Sequence, residues 1–230
     1  MYIGIQCYFK IKMNKSFTFC FALLCFVWNN AFSTLIFFLF FELEAFLEKP
    51  IEALGTKAKA ISLLDAKEVV KLQVREDENF ATDESENHTE GEHHHDGADG
   101  HIWLDPENAK AILSAVSQTL AEVNPKNAAI YVANTKKTMT DIDTMSAEII
   151  ASIAPARGKG FLVFHDAYHY FEKRFDIAAN GAVSINPENT PGAATISKLK
   201  AKIVKGQIKC VFSEPQFDGK LTALLLEGSS

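Results

Sequence analysis

The sequence predicts an α/β fold of two lobes built on parallel strands, and three observations carry that expectation. From Gly160 onward, short apolar strands alternate with helical segments, which implies a parallel sheet. Pro125 to Ile153 reads as one helix, about 40 Å long at 1.5 Å per residue. Polar residues run all along it, as in a helix that bridges two lobes rather than one sunk in a core. Ahead of these elements, Glu76 to Gly100 has too few apolar residues to bury a core and reads as a mobile loop. The expected organisation is a signal-like apolar segment over 1–31 and a first lobe over 32–124 that includes the loop 76–100. A linking helix over 125–154 and a second lobe over 155–230 complete it.

The elements follow in order. Lys10, Lys12 and Lys15 form a basic front, Phe17 to Trp28 an apolar stretch, and Asn29-Asn30-Ala31 a break, which together read as an export signal; Met13 also serves as a start. Leu35 to Phe41 is a second apolar run. The polar break favours a signal followed by a strand over one membrane-spanning helix from Phe17 to Phe41. Left uncleaved, the signal would anchor the chain. Glu42 to Leu54 suits a short amphipathic helix ended by Gly55, with Leu43, Phe46 and Leu47 on one face. Ala60 to Leu64 suits a short strand or turn. His101 to Leu104 is a compact apolar element, after which Asp105-Pro106 opens a helix to about Val123, with Asp as cap and Pro in the first turn. Asn124-Pro125 repeats that start signal for the long helix, which Pro155 to Lys159 stops. Then come a strand over Gly160 to Phe164, a helix over Ala167 to Phe175, a strand over Ala182 to Ile185, a helix over Pro191 to Val204 and a strand over Lys209 to Phe212.

Composition narrows the function. With 47% hydrophobic and 23% charged residues the 230-residue chain is ordinary for a globular protein. Its net charge of −6 divides unevenly, because the ten carboxylates of the loop supply −10 and leave about +4 for the rest. No Lys/Arg cluster or basic stripe exists, so a nucleic-acid partner is not expected. Cys7, Cys20 and Cys25 fall in the N-terminal apolar region and Cys210 stands apart, so there is neither a disulfide framework nor a C-x-x-C pair.

The chemistry lies in the histidines. His88, His93, His94 and His95 sit among the acids of the loop, which contains no Lys or Arg before Gly100. Imidazole is the commonest protein ligand for zinc-like ions, and carboxylates around it concentrate cations, so metal capture is favoured over an inert solvated loop. His101 stands where the loop meets the rigid Ile102-Trp103-Leu104 element, where an imidazole can be held in one orientation as a metal ligand must be. His165 ends a predicted strand, with Asp166 next to it. Glu214 lies just past the end of another, and ligand groups of parallel sheets collect at the carboxyl ends of strands. Asp166 also fits as a cap for the following helix. His169, four residues after His165, reads as an exposed helix residue.

Three segments together resemble a known family: His101-Ile102-Trp103-Leu104-Asp105-Pro106, Phe164-His165-Asp166-Ala167-Tyr168-His169-Tyr170-Phe171-Glu172-Lys173-Arg174-Phe175, and Phe212-Ser213-Glu214-Pro215-Gln216-Phe217. They are similar to the ZnuA-type, zinc-binding solute-binding proteins of bacterial high-affinity ABC importers. Glu42 to Pro50 and the acidic His-rich loop fit the same proteins, so the resemblance runs from about Leu35 to the C-terminus. It implies two α/β lobes joined by a long backbone helix, with one Zn2+ in the cleft between them. It also implies His101 and His165 as metal ligands, Asp166 and Glu214 as groups supporting them, and His88, His93, His94 and His95 as an auxiliary metal site. A further first-lobe histidine and a late second-lobe aspartate of the family have no counterpart, nor does a cysteine to pair with Cys210. The expectation is therefore a chain truncated at both ends, with the N-terminal lobe incomplete and the C-terminal lobe cut short.

The expected function is zinc binding in the periplasm and delivery to an inner-membrane ABC permease, as a monomer that performs no chemistry. The alternatives are a truncated, non-transporting fragment or metal buffer, and a zinc-dependent hydrolase using His165, Asp166 and Glu214. The last is disfavoured because no H-E-x-x-H motif is present.

Overall fold

A computed structural model describes residues 34–38, 49, 58–75, 80, 97–184, 191–214 and 219–227. The signal-like segment, nearly all of the Glu42 to Leu54 helix and the loop histidines His88, His93, His94 and His95 lie outside the described residues. The chain divides into two units.

The first unit takes its described residues from 34–71 and 98–151. Strand β1 (Thr34–Phe38) pairs in parallel with β2 (Ala58–Ser62), with Thr34 opposite Ala58 and Phe38 opposite Ser62. The strand expected at Ala60 to Leu64 thus begins and ends two residues earlier, and Leu63 and Leu64 are buried beyond it. Ile102–Leu104 is a single 3-10 turn whose Ile102 is fully buried. Helix α1 (Pro106–Val123) starts as its sequence requires: the Asp105 carboxylate accepts the Glu107 backbone N–H at 2.9 Å, and Pro106 occupies the first turn. The fully buried Asn108 ties α1 to the segment after β2. Its side chain accepts the Val70 N–H at 2.8 Å and donates to the Val70 carbonyl at 2.9 Å. A 3-10 turn over Pro125–Asn127 leads into α2 (Ala128–Ile153), the 26-residue helix expected from Pro125. The second unit resumes at Ser152, within the last turn of α2.

The second unit is a three-stranded parallel sheet with β3 (Phe161–His165) between β4 (Ala182–Ser184) and β5 (Cys210–Val211). Val163 pairs with Ala182, and Leu162 with Val211. β3 is central and apolar on both faces, as strands of a covered parallel sheet are. One face packs Leu162 and Val183 with Leu199 and Ile203 of helix α4 (Ala193–Val204) and Leu225 of helix α5 (Lys220–Leu226). The other packs Phe161, Val163, Ala179 and Ala182, with Phe212 stacked on Phe161 at 5.1 Å between ring centroids. Helix α5 had no counterpart among the expected elements.

Two differences from the sequence reading affect the site. Helix α3 (His169–Phe175) begins two residues later than expected, because the Ala167 N–H donates to the His165 carbonyl at 2.9 Å in a tight turn. Leu72–Arg75, Phe80 and Gly97, which flank the acidic loop, group with the second unit rather than with the first lobe. The Leu72 N–H donates to the buried Tyr170 hydroxyl at 2.9 Å, and the Val74 N–H to the Gly97 carbonyl at 3.3 Å. These bonds, with the Arg75 ion pairs described below, hold that segment there.

Candidate metal centre

His165 is the last residue of β3. Because β5 runs parallel beside it, the chain leaving β5 emerges at the same edge and carries Glu214 to His165 across 49 residues of sequence. Glu214 Oε1 lies 2.6 Å from His165 Nδ1. The same oxygen is 3.4 Å from the His165 backbone nitrogen, and Glu214 is buried. A carboxylate is only an acceptor, so Nδ1 carries the proton and donates, and the lone pair of the ring falls on Nε2. This is the arrangement in which metal-binding histidines are held. Tyr168 stands close by, its ring edge-on to Phe212 and 6.5 Å from the His165 ring between centroids. Burial, with the charge of Glu214, pushes the Tyr168 hydroxyl up to about 12. It stays protonated at neutral pH and is no anionic ligand.

The first unit repeats this logic with different parts. His101 follows a turn in which Asp99 Oδ1 accepts the His101 backbone N–H at 2.9 Å and lies 2.6 Å from His101 Nδ1. Asp99 is only 4% exposed, so this bond is poorly hydrated. The Trp103 ring stands edge-on to the imidazole, with centroids 5.4 Å apart, and fixes its other side. Again Nδ1 is the donor, and the lone pair of the ring falls on Nε2.

The remaining sequence candidates divide. Glu214 supports His165 as expected. Asp166 neither caps α3, whose N-cap is Tyr168 without a side-chain bond, nor turns to the imidazole beside it. Both its oxygens go to Arg75. Nε donates to Oδ2 at 2.9 Å and to Oδ1 at 3.0 Å, and Nη2 also donates to Oδ1. The same guanidinium reaches Glu172 of α3, with Nη1 to Oε2 at 3.0 Å and Nη2 to Oε1 at 2.9 Å, and lies 3.6 Å above the Phe80 ring. Burial works against the Arg75 charge, but the bonds to Glu172 and Asp166 outweigh it and raise its pKa. His169 is half-buried, with Nδ1 enclosed and unbonded. Cys210 is half-buried and in no disulfide among the described residues.

Asp99 and Arg75 are the residues that sequence reasoning missed. Asp99 was counted only as one acid among the ten of the loop, although Asp-x-His ahead of a rigid turn is the spacing at which a carboxylate reaches a neighbour's N–H. Arg75 offered no signal; its partners are 91 and 97 positions away. Among the described residues, no three His, Cys, Asp or Glu side chains gather to hold one ion. What those residues offer is two imidazoles of the same kind, each with Nδ1 against a carboxylate, a donor type that suits zinc at about 2.0–2.1 Å.

Known proteins are similar to this chain in sequence and in fold. The profile of the family described as "Zinc-uptake complex component A periplasmic" matches residues 31–229. The high-affinity zinc uptake system protein ZnuA of Brucella abortus is 39% identical over 216 residues, covering 81% of this chain and 63% of that protein. Its Yersinia pestis counterpart is 32% identical over 198 residues, covering 82% and 62%. The chain therefore spans a little under two thirds of the length of these relatives. Among solved structures, a crystal structure of ZnuA superposes with a TM-score of 0.65 at 21% identity, covering 83% of this chain and 66% of that one. The AdcAII protein of Streptococcus pneumoniae superposes with a TM-score of 0.66 at 19% identity, covering 85% and 67%. The architecture read from the sequence is thus that of the solute-binding proteins.

Proposed function

Since the chain belongs to the family of periplasmic zinc-uptake component A proteins, which are transport binding proteins and not an enzyme family, we propose that it binds zinc in the periplasm through His101 and His165 and passes it to an inner-membrane ABC permease. The observation that carries this reading is the matched pair of imidazoles, each with Nδ1 2.6 Å from a buried carboxylate oxygen. Asp99 and Glu214 each hold an Nδ1–H, which orients the ring and makes it a better donor toward a cation. His88, His93, His94 and His95 gather zinc for the protein as an auxiliary site. The chain acts as a monomer and leaves its cargo chemically unchanged. Among the described helices none is long and apolar enough to cross a membrane.

Zinc titration of the chain and of His101→Ala, His165→Ala and the double variant tests this. The expected result is one tight site that either single substitution weakens at least tenfold, with the double variant little worse than the singles. That non-additivity is the signature of one shared ion. Retention of the tight site in the double variant would overturn the assignment. Removing residues 82–96, which keeps Asp99, is expected to lower the number of weak sites and leave the tight one.

A second reading has its own support, since no described group of three ligands is complete. The chain would then be a metal buffer that does not transport. Restored growth of a bacterium lacking its own zinc-binding component, in chelator-treated medium, separates the two.

A further inference from the structure

The most heavily charged buried cluster in the described part of the molecule is not one of the imidazole sites. It is the fork of Arg75 between Asp166 and Glu172. The side chain of Arg75 is 19% exposed, and those of both carboxylates 6%. One guanidinium therefore serves two buried anions, a combination that would not persist without it, because removing the partner leaves uncompensated buried charge.

Its place gives it a consequence for metal binding. Asp166 immediately follows His165 at the carboxyl edge of β3, the edge where ligand groups of parallel sheets collect, so an unpaired carboxylate there would be a competing oxygen donor beside His165. Oxygen anions favour harder ions and higher coordination numbers, whereas imidazole favours zinc at low coordination number. Arg75 cancels that competitor in two ways. It occupies both oxygens of Asp166, and its positive charge opposes a cation there. It also braces the turn that carries His165. The Ala167 N–H closes that turn, and Glu172 in turn accepts the Ala179 N–H at 2.9 Å, so turn and helix α3 are fastened to one group.

Resting on the reading of His165 as a zinc ligand, we propose that Arg75 is a specificity-determining positioning residue that withholds the Asp166 carboxylate from the bound cation and so sets the preference for zinc over manganese. The test uses the full chain and the variants Arg75→Met, Arg75→Lys, Asp166→Asn and Arg75→Met/Asp166→Asn. Zn2+ and Mn2+ affinities come from competition titration, coordination geometry from the visible spectrum of bound Co2+, and backbone order from amide exchange of the metal-free protein. Arg75→Met is expected to weaken zinc about tenfold or more and to move the Mn2+/Zn2+ ratio toward manganese by a similar factor. It should also dim the Co2+ bands as coordination rises above four, and speed exchange at Ala167 and Ala179. Adding Asp166→Asn should restore the Co2+ spectrum, and Asp166→Asn alone should leave it unchanged.

An Arg75→Met protein with altered zinc affinity but unaltered Co2+ spectrum and metal ratio would overturn the proposal, since a purely structural brace predicts that. So would a changed spectrum in Asp166→Asn alone, which would make Asp166 a ligand already. If Arg75→Met loses its near-UV dichroism, Arg75→Lys decides, because it keeps the charge without the fork; an unchanged metal ratio in that variant refutes the idea. Failure of the zinc-site reading is separately visible as zinc binding that His165→Ala does not weaken.

Discussion

Replacing Asp99 with Asn tests the centre at its most local point. The change is isosteric, so the turn ahead of His101 keeps its shape, but the side chain loses its charge and gains an N–H2 group. Asp99 Oδ1 now receives two donors, the His101 backbone N–H at 2.9 Å and the ring Nδ1–H at 2.6 Å. With Asn, the oxygen can still accept from the backbone, but the ring faces a neutral and weaker acceptor, or a donor if the amide turns over. In the second case Nδ1 must accept, the proton moves to Nε2, and the lone pair that would meet zinc is lost. Outer carboxylates of this kind are worth about 10–100-fold in metal affinity, or about 1.4–2.7 kcal/mol. The 4% exposure of Asp99 places the effect toward the upper part of that range, because little water screens the bond. The assay is zinc competition against a chromophoric chelator, with near-UV dichroism as the check on folding. Affinity within twofold of the parent, in a protein that His101→Ala disables, would refute the claim that Asp99 tunes the imidazole.

Further predictions concern stability. Asn108→Ala strands the Val70 N–H and carbonyl that the amide now satisfies and is expected to lower unfolding free energy by about 1–3 kcal/mol, read from urea denaturation. Leu162→Ala, at a fully buried position between sheet and helix, is expected to lose about 2–5 kcal/mol by the same measurement. Gly160→Ala drives a methyl into the Gln207 carbonyl and to 2.9 Å from Asn180 Oδ1, so a reduced melting temperature is expected. In the chelated, metal-free protein Tyr168 imposes an alkaline limit. Its folded pKa of about 12 lies above the ordinary tyrosine value of about 10, so the contribution is whole below pH 10 and lost as pH climbs from there to 12, where the unfolded chain ionises first. A steeper fall of stability over that window than in Tyr168→Phe is the expected result, and matching curves would remove Tyr168 from the account.

The sequence displays some of these features and hides others for identifiable reasons. Helix α1 was legible because Asp105-Pro106 is a local start signal whose cap bond forms, whereas Asn124-Pro125 opens a 3-10 turn without a side-chain cap and α2 follows it at Ala128. β3 was legible because a short, wholly apolar run has few other uses. Strand β2 slipped by two residues because Leu63 and Leu64 are as apolar as a strand yet belong to the turn beyond it. Helix α5 escaped because Leu-Thr-Ala-Leu-Leu-Leu lacks a polar face to show its period. The partners of Arg75 were not legible because ion pairing, not apolar periodicity, fixes that segment, and pairing at such separations leaves no trace in composition.

The two supporting carboxylates make the same point from opposite sides. Asp99 reaches His101 through two residues of chain, so its role follows from local geometry and needs no fold. Glu214 reaches His165 only because β3 and β5 are parallel and adjacent, which brings the ends of both strands to one edge. A histidine read from sequence as a ligand is therefore only half described. What makes its Nε2 available is the acceptor opposite Nδ1, and that acceptor can be supplied by neighbourhood or by topology. When two imidazoles obtain the same 2.6 Å carboxylate contact by such unrelated routes, the shared outcome is better explained by a common demand on the rings than by the accidents of folding. Binding a cation at Nε2, as proposed above, is a demand that both arrangements would meet.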